Sequence, residues 1–138
     1  MPVLPRELHN VLVNPNFAAQ VQVCPLILDD PGNADATVVV FVASRRCKLI
    51  RASYLQAAGA TAATSYTAQL KNGSTNLSAA LDIKALAADT VADFASIPTD
   101  KDAVLADGDI LDLVFDETGG TVTAPGRVAL TLEFQLLE

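Results

Sequence analysis

The 138-residue chain is 51% hydrophobic and 18% charged, with a formal net charge of −7, which fits one domain with a hydrophobic core of its own. Sixteen acidic against nine basic residues argue against a general nucleic-acid binder, whose affinity comes from clustered Lys and Arg. Two cysteines in no C-x-x-C spacing do not make a disulfide scaffold, and the apolar content rests on small side chains, with 23 Ala, no Trp, five Phe and two Tyr.

The chain opens on MPVLPRELHN, which lacks the basic head and apolar stretch of a secretory signal, and no run of 18 or more apolar residues follows. The expectation is synthesis in the cytosol, with Cys24 and Cys47 as reduced, buried small side chains and a disulfide as the alternative. Pro2, Pro5 and Pro15 block both helix propagation and ladder hydrogen bonds. Residues 1–19 therefore read as an extended arm, which either grasps a partner or packs back on its own domain, and residues 20–138 as a single β domain.

From residue 20 short β-like runs alternate with turn signals. Gln20–Val23 and Leu26–Leu28 flank Pro25, and Asp29-Asp30-Pro31-Gly32-Asn33 is a turn cluster. Thr37–Ala43 (TVVVFVA) is apolar on both faces and is expected to be covered on both sides. Cys47–Gln56 (CKLIRASYLQ) reads as a strand of mixed faces, and Ala57–Thr64 as a small-residue loop. Ser65–Leu70 leads into Asn72-Gly73, a hairpin signal because both residues tolerate positive φ; the return strand is expected over Asn76–Ile83. Residues 84–102 favour a loop or short strand, because Thr90, Val91, Ile97 and Pro98 oppose a long helix. A turn at Leu105–Asp109 enters Ile110–Asp116, and Arg127–Leu136 places Val128, Leu130, Leu132, Phe134 and Leu136 on one face. About eight strands with no βαβ alternation predict an all-β fold, an antiparallel jelly-roll-like β-sandwich with an extended N-terminal arm.

Charge is unevenly placed: residues 1–81 carry a balance of +2 and residues 82–138 a balance of −9. That fits docking on a surface of alternating sign, and equally an unevenly solvated surface. Arg45, Arg46, Lys48 and Arg51 form the basic cluster of the chain. Its readings are a solvated patch, docking to an acidic protein surface, or phosphate binding, the last disfavoured by the acidic total.

Catalytic chemistry is poorly supplied. His9 is the one histidine and lies in the arm, a poor place to hold the geometry of a triad or zinc site. Asp107, Asp109 and Asp112, with Asp100 and Asp102, offer oxygens to Ca²⁺, but their spacing is not that of an EF-hand loop, and turn-forming Asp is the ordinary reading. Sugar binding wants exposed aromatic faces, for which only Tyr54 and Tyr66 are available besides Phe. Asn72 and Asn76 match the glycosylation sequon but read as turn and strand residues.

From about Thr37 onward the chain resembles the small capsid decoration (cement) proteins of tailed bacteriophages. The likeness lies in TVVVFVA, the basic-Cys-hydrophobic strand ending in ASYLQAA, the Ala/Thr/Gly-rich middle with a hairpin, LADGDILDLVF and the terminal VALTLEF. The resemblance implies a non-enzymatic jelly roll or related β-sandwich, without cofactors or metals, that binds the outside of an assembled head at symmetry axes. As a dimer or trimer it would bridge copies of the major capsid protein against internal pressure, touching neither nucleic acid nor membrane, on the outer surface of the virion after being made in the host cytoplasm. The rival is a carbohydrate- or receptor-binding module of a phage fibre or spike. The expected capsid contacts are Pro2, Leu4, Arg6, Leu8 and Val11 of the arm, and Arg45, Arg46, Lys48 and Arg51.

Overall fold

The structure, a computed structural model, describes residues 21–97, 103–120 and 122–137. Its strands are β1 (Val21–Leu28), β2 (Ala36–Val42), β3 (Cys47–Gln56), β4 (Ser65–Asn72), β5 (Thr75–Asn76), β6 (Leu81–Asp82), β7 (Ala92–Asp93), β8 (Val104–Leu105), β9 (Ile110–Thr118) and β10 (Val128–Leu136). One sheet runs β1-β10-β3, with β7 and β8 at separate points along the far edge of β3; the other runs β2-β9-β4, with β5 and β6 along the far edge of β4. All pairings are antiparallel, and the two sheets pack face to face as a β-sandwich, with no α-helix among the described residues.

Period-two patterning accounts for the packing. Val128, Leu130, Leu132 and Phe134 of β10, and Leu111, Leu113 and Phe115 of β9, are buried, while the residues between them face outward. Tyr66, Ala68 and Leu70 bring β4 to the same core. The mixed pattern of β3 has a specific cause. A register irregularity opposite Glu133 and Phe134 leaves Ile50 and Arg51 both exposed, so inward residues change from Cys47 and Leu49 to Ala52, Tyr54 and Gln56. A second irregularity between Val39 and Phe41 turns Val40 and Phe41 together toward the core, where Phe41 stacks on Phe134 at 4.2 Å between ring centroids.

Buried polar groups are paired. Tyr54 donates its hydroxyl to Gln56 Oε1 at 3.0 Å, and Gln56 Nε2 donates to the carbonyls of Ile83 and Leu86 at 3.1 and 2.8 Å. One side chain thus pins the irregular segment after β6, for which sequence reading rightly refused a long helix. Tyr66 donates to the Gly32 carbonyl at 3.0 Å, tying the β1–β2 loop to β4.

Four sequence expectations change in detail. Thr37–Ala43 is not covered on both faces: β2 is an edge strand, with Val39 and Val42 more than half exposed. The hairpin is shifted by one residue. Asn72 pairs with Thr75, and the two loop residues are Gly73 (φ +60°) and Ser74, the pattern of a type II′ turn with Gly first. The return is broken into β5 and β6, because Leu77 and Ser78 between them are buried and Ser78 Oγ accepts from Leu70 N at 3.1 Å. Pro25 does not split β1, whose register runs unbroken from Val21 to Leu28 against β10. Proline is tolerated there because β1 is an edge.

Candidate functional site

The basic cluster is shared between strand β3 and the turn that precedes it. Arg51 lies on the outer face of its sheet, with Nη2 3.3 Å from Asp93 Oδ2 and Glu133 opposite it in register. Ser53 Oγ donates to the same Asp93 at 3.0 Å. Both charged partners are more than half exposed, so the pair adds little stability, yet it engages the guanidinium. Lys48 points outward from β3 between Gln135 and Val104. Arg45 and Arg46 stand exposed in the β2–β3 turn, whose Arg46 carbonyl accepts from Leu137 N at 3.1 Å.

That turn lies at the end of the sandwich where β1 begins. Val21 is opposite Gln135, and Gln22, Cys24, Phe41, Ser44, Arg45, Cys47, Phe134 and Leu136 surround one pocket of about 160 Å³. The segment 1–20, with the expected contacts Pro2, Leu4, Arg6, Leu8 and Val11 and with His9, lies outside the described residues. It joins the domain at this same end.

The pocket also gathers the two thiols. Cys24 is half-buried and Cys47 buried, and both are free. Their strands flank β10 on opposite sides, two strand spacings or roughly 9–10 Å apart, beyond the reach of a disulfide. Burial pushes the Cys47 thiol above its ordinary value; Cys24 and Asp109 add to the shift and Arg45 opposes it. This is the environment of an inert thiol rather than a nucleophile.

The opposite end is acidic. Asp29, Asp30 and Asp35 of the β1–β2 loop stand near Asp116 and Glu117 of β9, with Lys84 and Arg127 the bases at that end. Asp35 Oδ1 accepts from Glu117 N at 2.8 Å, and Asp30 Oδ1 from Gly32 N at 2.8 Å. These carboxylates shape a loop.

Of the other acidic candidates, Asp109 behaves likewise. Asp109 Oδ2 accepts from Ala106 N at 2.9 Å and from Asn72 Nδ2 at 3.2 Å, closing the β8–β9 turn. Asp100 and Asp102 lie outside the described residues. Among the described residues no group of three His, Cys, Asp or Glu is placed to hold a metal ion. Tyr54 and Tyr66 are fully buried, so neither presents a ring to a sugar.

One feature escaped sequence reading. The inward side chains of the two edge strands, Cys24, Leu26 and Leu28 of β1 and Ala36, Val38 and Phe41 of β2, are only partly buried, so the sandwich is open along a seam between β1 and β2. The signal was present as two strands without a charged residue, VQVCPLIL and ATVVVFV, but which strands lie at edges is a property of topology. No protein-family model and no curated protein sequence matches this chain.

Proposed function

We propose that this protein is a non-enzymatic cement of an icosahedral phage head, binding the outer surface and bridging neighbouring copies of the major capsid protein. The observation that carries the reading is convergence. The Arg45–Arg46 turn and Val21, the first described residue after the expected arm, share one end of the sandwich, which supports a single contact surface at that end. Arg supports docking on an acidic surface through bidentate contacts with carboxylates, and each weak contact gains from repetition across a lattice. Nested pairing, β1 with β10, β2 with β9, β3 with β8 and β7, β4 with β5 and β6, supports the finer jelly-roll reading. Arg51 stays exposed beside Asp93, so any contact it makes would carry that carboxylate with it.

The test is co-sedimentation of the protein with expanded heads that lack it, counting copies bound per capsid subunit. A saturable, symmetry-related ratio is expected, falling at least tenfold in affinity when Arg45 and Arg46 are both changed to Glu, with the melting temperature unchanged. No binding at any salt concentration overturns the reading.

A further inference from the structure

The pocket at the Arg45 end is apolar inside and cationic at its rim. Phe41 stacks on Phe134 in its wall, with ring centroids 4.2 Å apart, and Cys24, Cys47 and Leu136 continue the apolar lining. Arg45 is the one charged group among the described residues that line it.

That guanidinium is not held elsewhere. Among the described residues no carboxylate lies within ion-pair distance of it, whereas Arg51 faces Asp93 at 3.3 Å. Its closeness to the pocket is felt at Cys47, whose upward-shifted thiol it opposes. Two acidic residues share this end through the β8–β9 turn, where Gly108 N donates to the Ala43 carbonyl at 2.7 Å. Asp109 there accepts from Ala106 N and Asn72 Nδ2, and neither it nor Asp107 lines the pocket.

Size narrows the ligand. About 160 Å³ is well below the roughly 300–1,000 Å³ of a site for a drug-sized molecule, and it suits one large aliphatic or aromatic side chain. Such a side chain gains by leaving water for the aromatic wall. The guanidinium beside it selects a carboxylate, which it can grip with two parallel hydrogen bonds. A free phosphate would use the guanidinium and leave the wall bare. Apolar anchors seated in pockets carry much of the energy of protein interfaces, and Arg is enriched among the residues that do so.

We propose that this pocket is an anchor site for a protein segment in which a large apolar side chain stands beside a carboxylate: Phe or Leu enters the pocket, and Asp or Glu pairs with Arg45. The inference deepens the head-binding reading, on which it rests for the source of the segment, by giving the chemistry that the capsid surface has to present.

The test is amide NMR of the isotope-labelled full chain, titrated with the acetylated tetrapeptide Gly-Phe-Asp-Gly to about 10 mM, the range in which one small anchor saturates. Saturable shifts are expected at Gln22, Cys24, Ser44, Arg45 and Leu136. Replacing the peptide's Phe by Ala, or its Asp by Lys, should weaken binding about tenfold. The parent chain should favour the Asp peptide over its Asn counterpart about fivefold. Arg45→Gln, at an exposed position, should leave the melting temperature unchanged and remove that preference. No saturable shift, equal binding of the Lys peptide, or an Arg45→Gln chain that still prefers Asp overturns the proposal. So do nuclear Overhauser contacts from Glu7 or Leu8 to the pocket, which would make the chain's own first segment the occupant. Head attachment without peptide binding strikes this anchor alone, whereas peptide binding without head attachment removes the proposed function and leaves the anchor standing.

Discussion

Tyr54 and Tyr66 carry the only phenols of the chain, and both are spent inside the fold. Burial raises each above its ordinary value of 10.0; Tyr66 adds to Tyr54's shift, and Asp30, Glu117 and Asp35 add to that of Tyr66. A group that holds its proton more tightly when folded contributes full stability below its unfolded value. That contribution falls as pH rises, because the unfolded chain ionises first. Stability is therefore expected to be level up to about pH 9, where the buried Cys47 begins the same loss from its ordinary 9.0. It should then decline through pH 10 to 11, by about 1.4 kcal/mol at pH 11 for Tyr54, with Tyr66 adding to the loss in the same direction. Urea midpoints measured at each pH check this. Tyr66→Phe should flatten the decline, at the cost of the Gly32 hydrogen bond; an unchanged slope would mean that its phenol already meets solvent.

The loops that close the acidic end depend on one glycine more than the others. Gly119 has φ +98°, and a Cβ there would lie 2.6 Å from Thr64 Oγ1 and 2.8 Å from Thr64 N. That nitrogen donates to the Thr118 carbonyl at 3.1 Å, and Ala63 N donates to the Gly120 carbonyl at 3.0 Å, binding the β3–β4 and β9–β10 loops together. Gly119→Ala is expected to cost about 2–4 kcal/mol. Gly73→Ala, also at positive φ but facing open space, should cost only about 1 kcal/mol; equal losses would show that backbone conformation alone matters.

At this scale much was legible beforehand. β9 and β10 alternate without interruption, and their buried faces were readable from period two. β3 resisted because its bulge reverses the phase at Ile50–Arg51, and no local signal marks a bulge set by Glu133 on another strand. The apolar run of β2 suggested cover on both faces, although an edge position leaves one of them bare.

Across the whole molecule, charge does not follow the two halves of the chain. Asp29, Asp30 and Asp35 come from the half with a balance of +2, yet they stand with Asp116 and Glu117 from the other. Nesting of the strands brings first and last segments together, so a linear tally could not show which charges are neighbours. The same nesting makes the role of the arm testable. The buried core runs from Val40 to Phe134, β1 pairs along its full length with β10, and no buried side-chain polar atom among the described residues lacks a partner. Removal of residues 1–19 is therefore expected to leave a cooperative unfolding transition within about 5 °C of the parent, a shift of order 1 kcal/mol for a domain of this size. Under the proposed function attachment to heads should fall, because the expected contacts Pro2, Leu4, Arg6, Leu8 and Val11 go with the deleted segment. Calorimetry and head occupancy separate the possibilities. A broad or much lower transition would make the arm part of the fold, whereas full occupancy with an unchanged transition would leave the lattice contact to Arg45, Arg46 and Lys48.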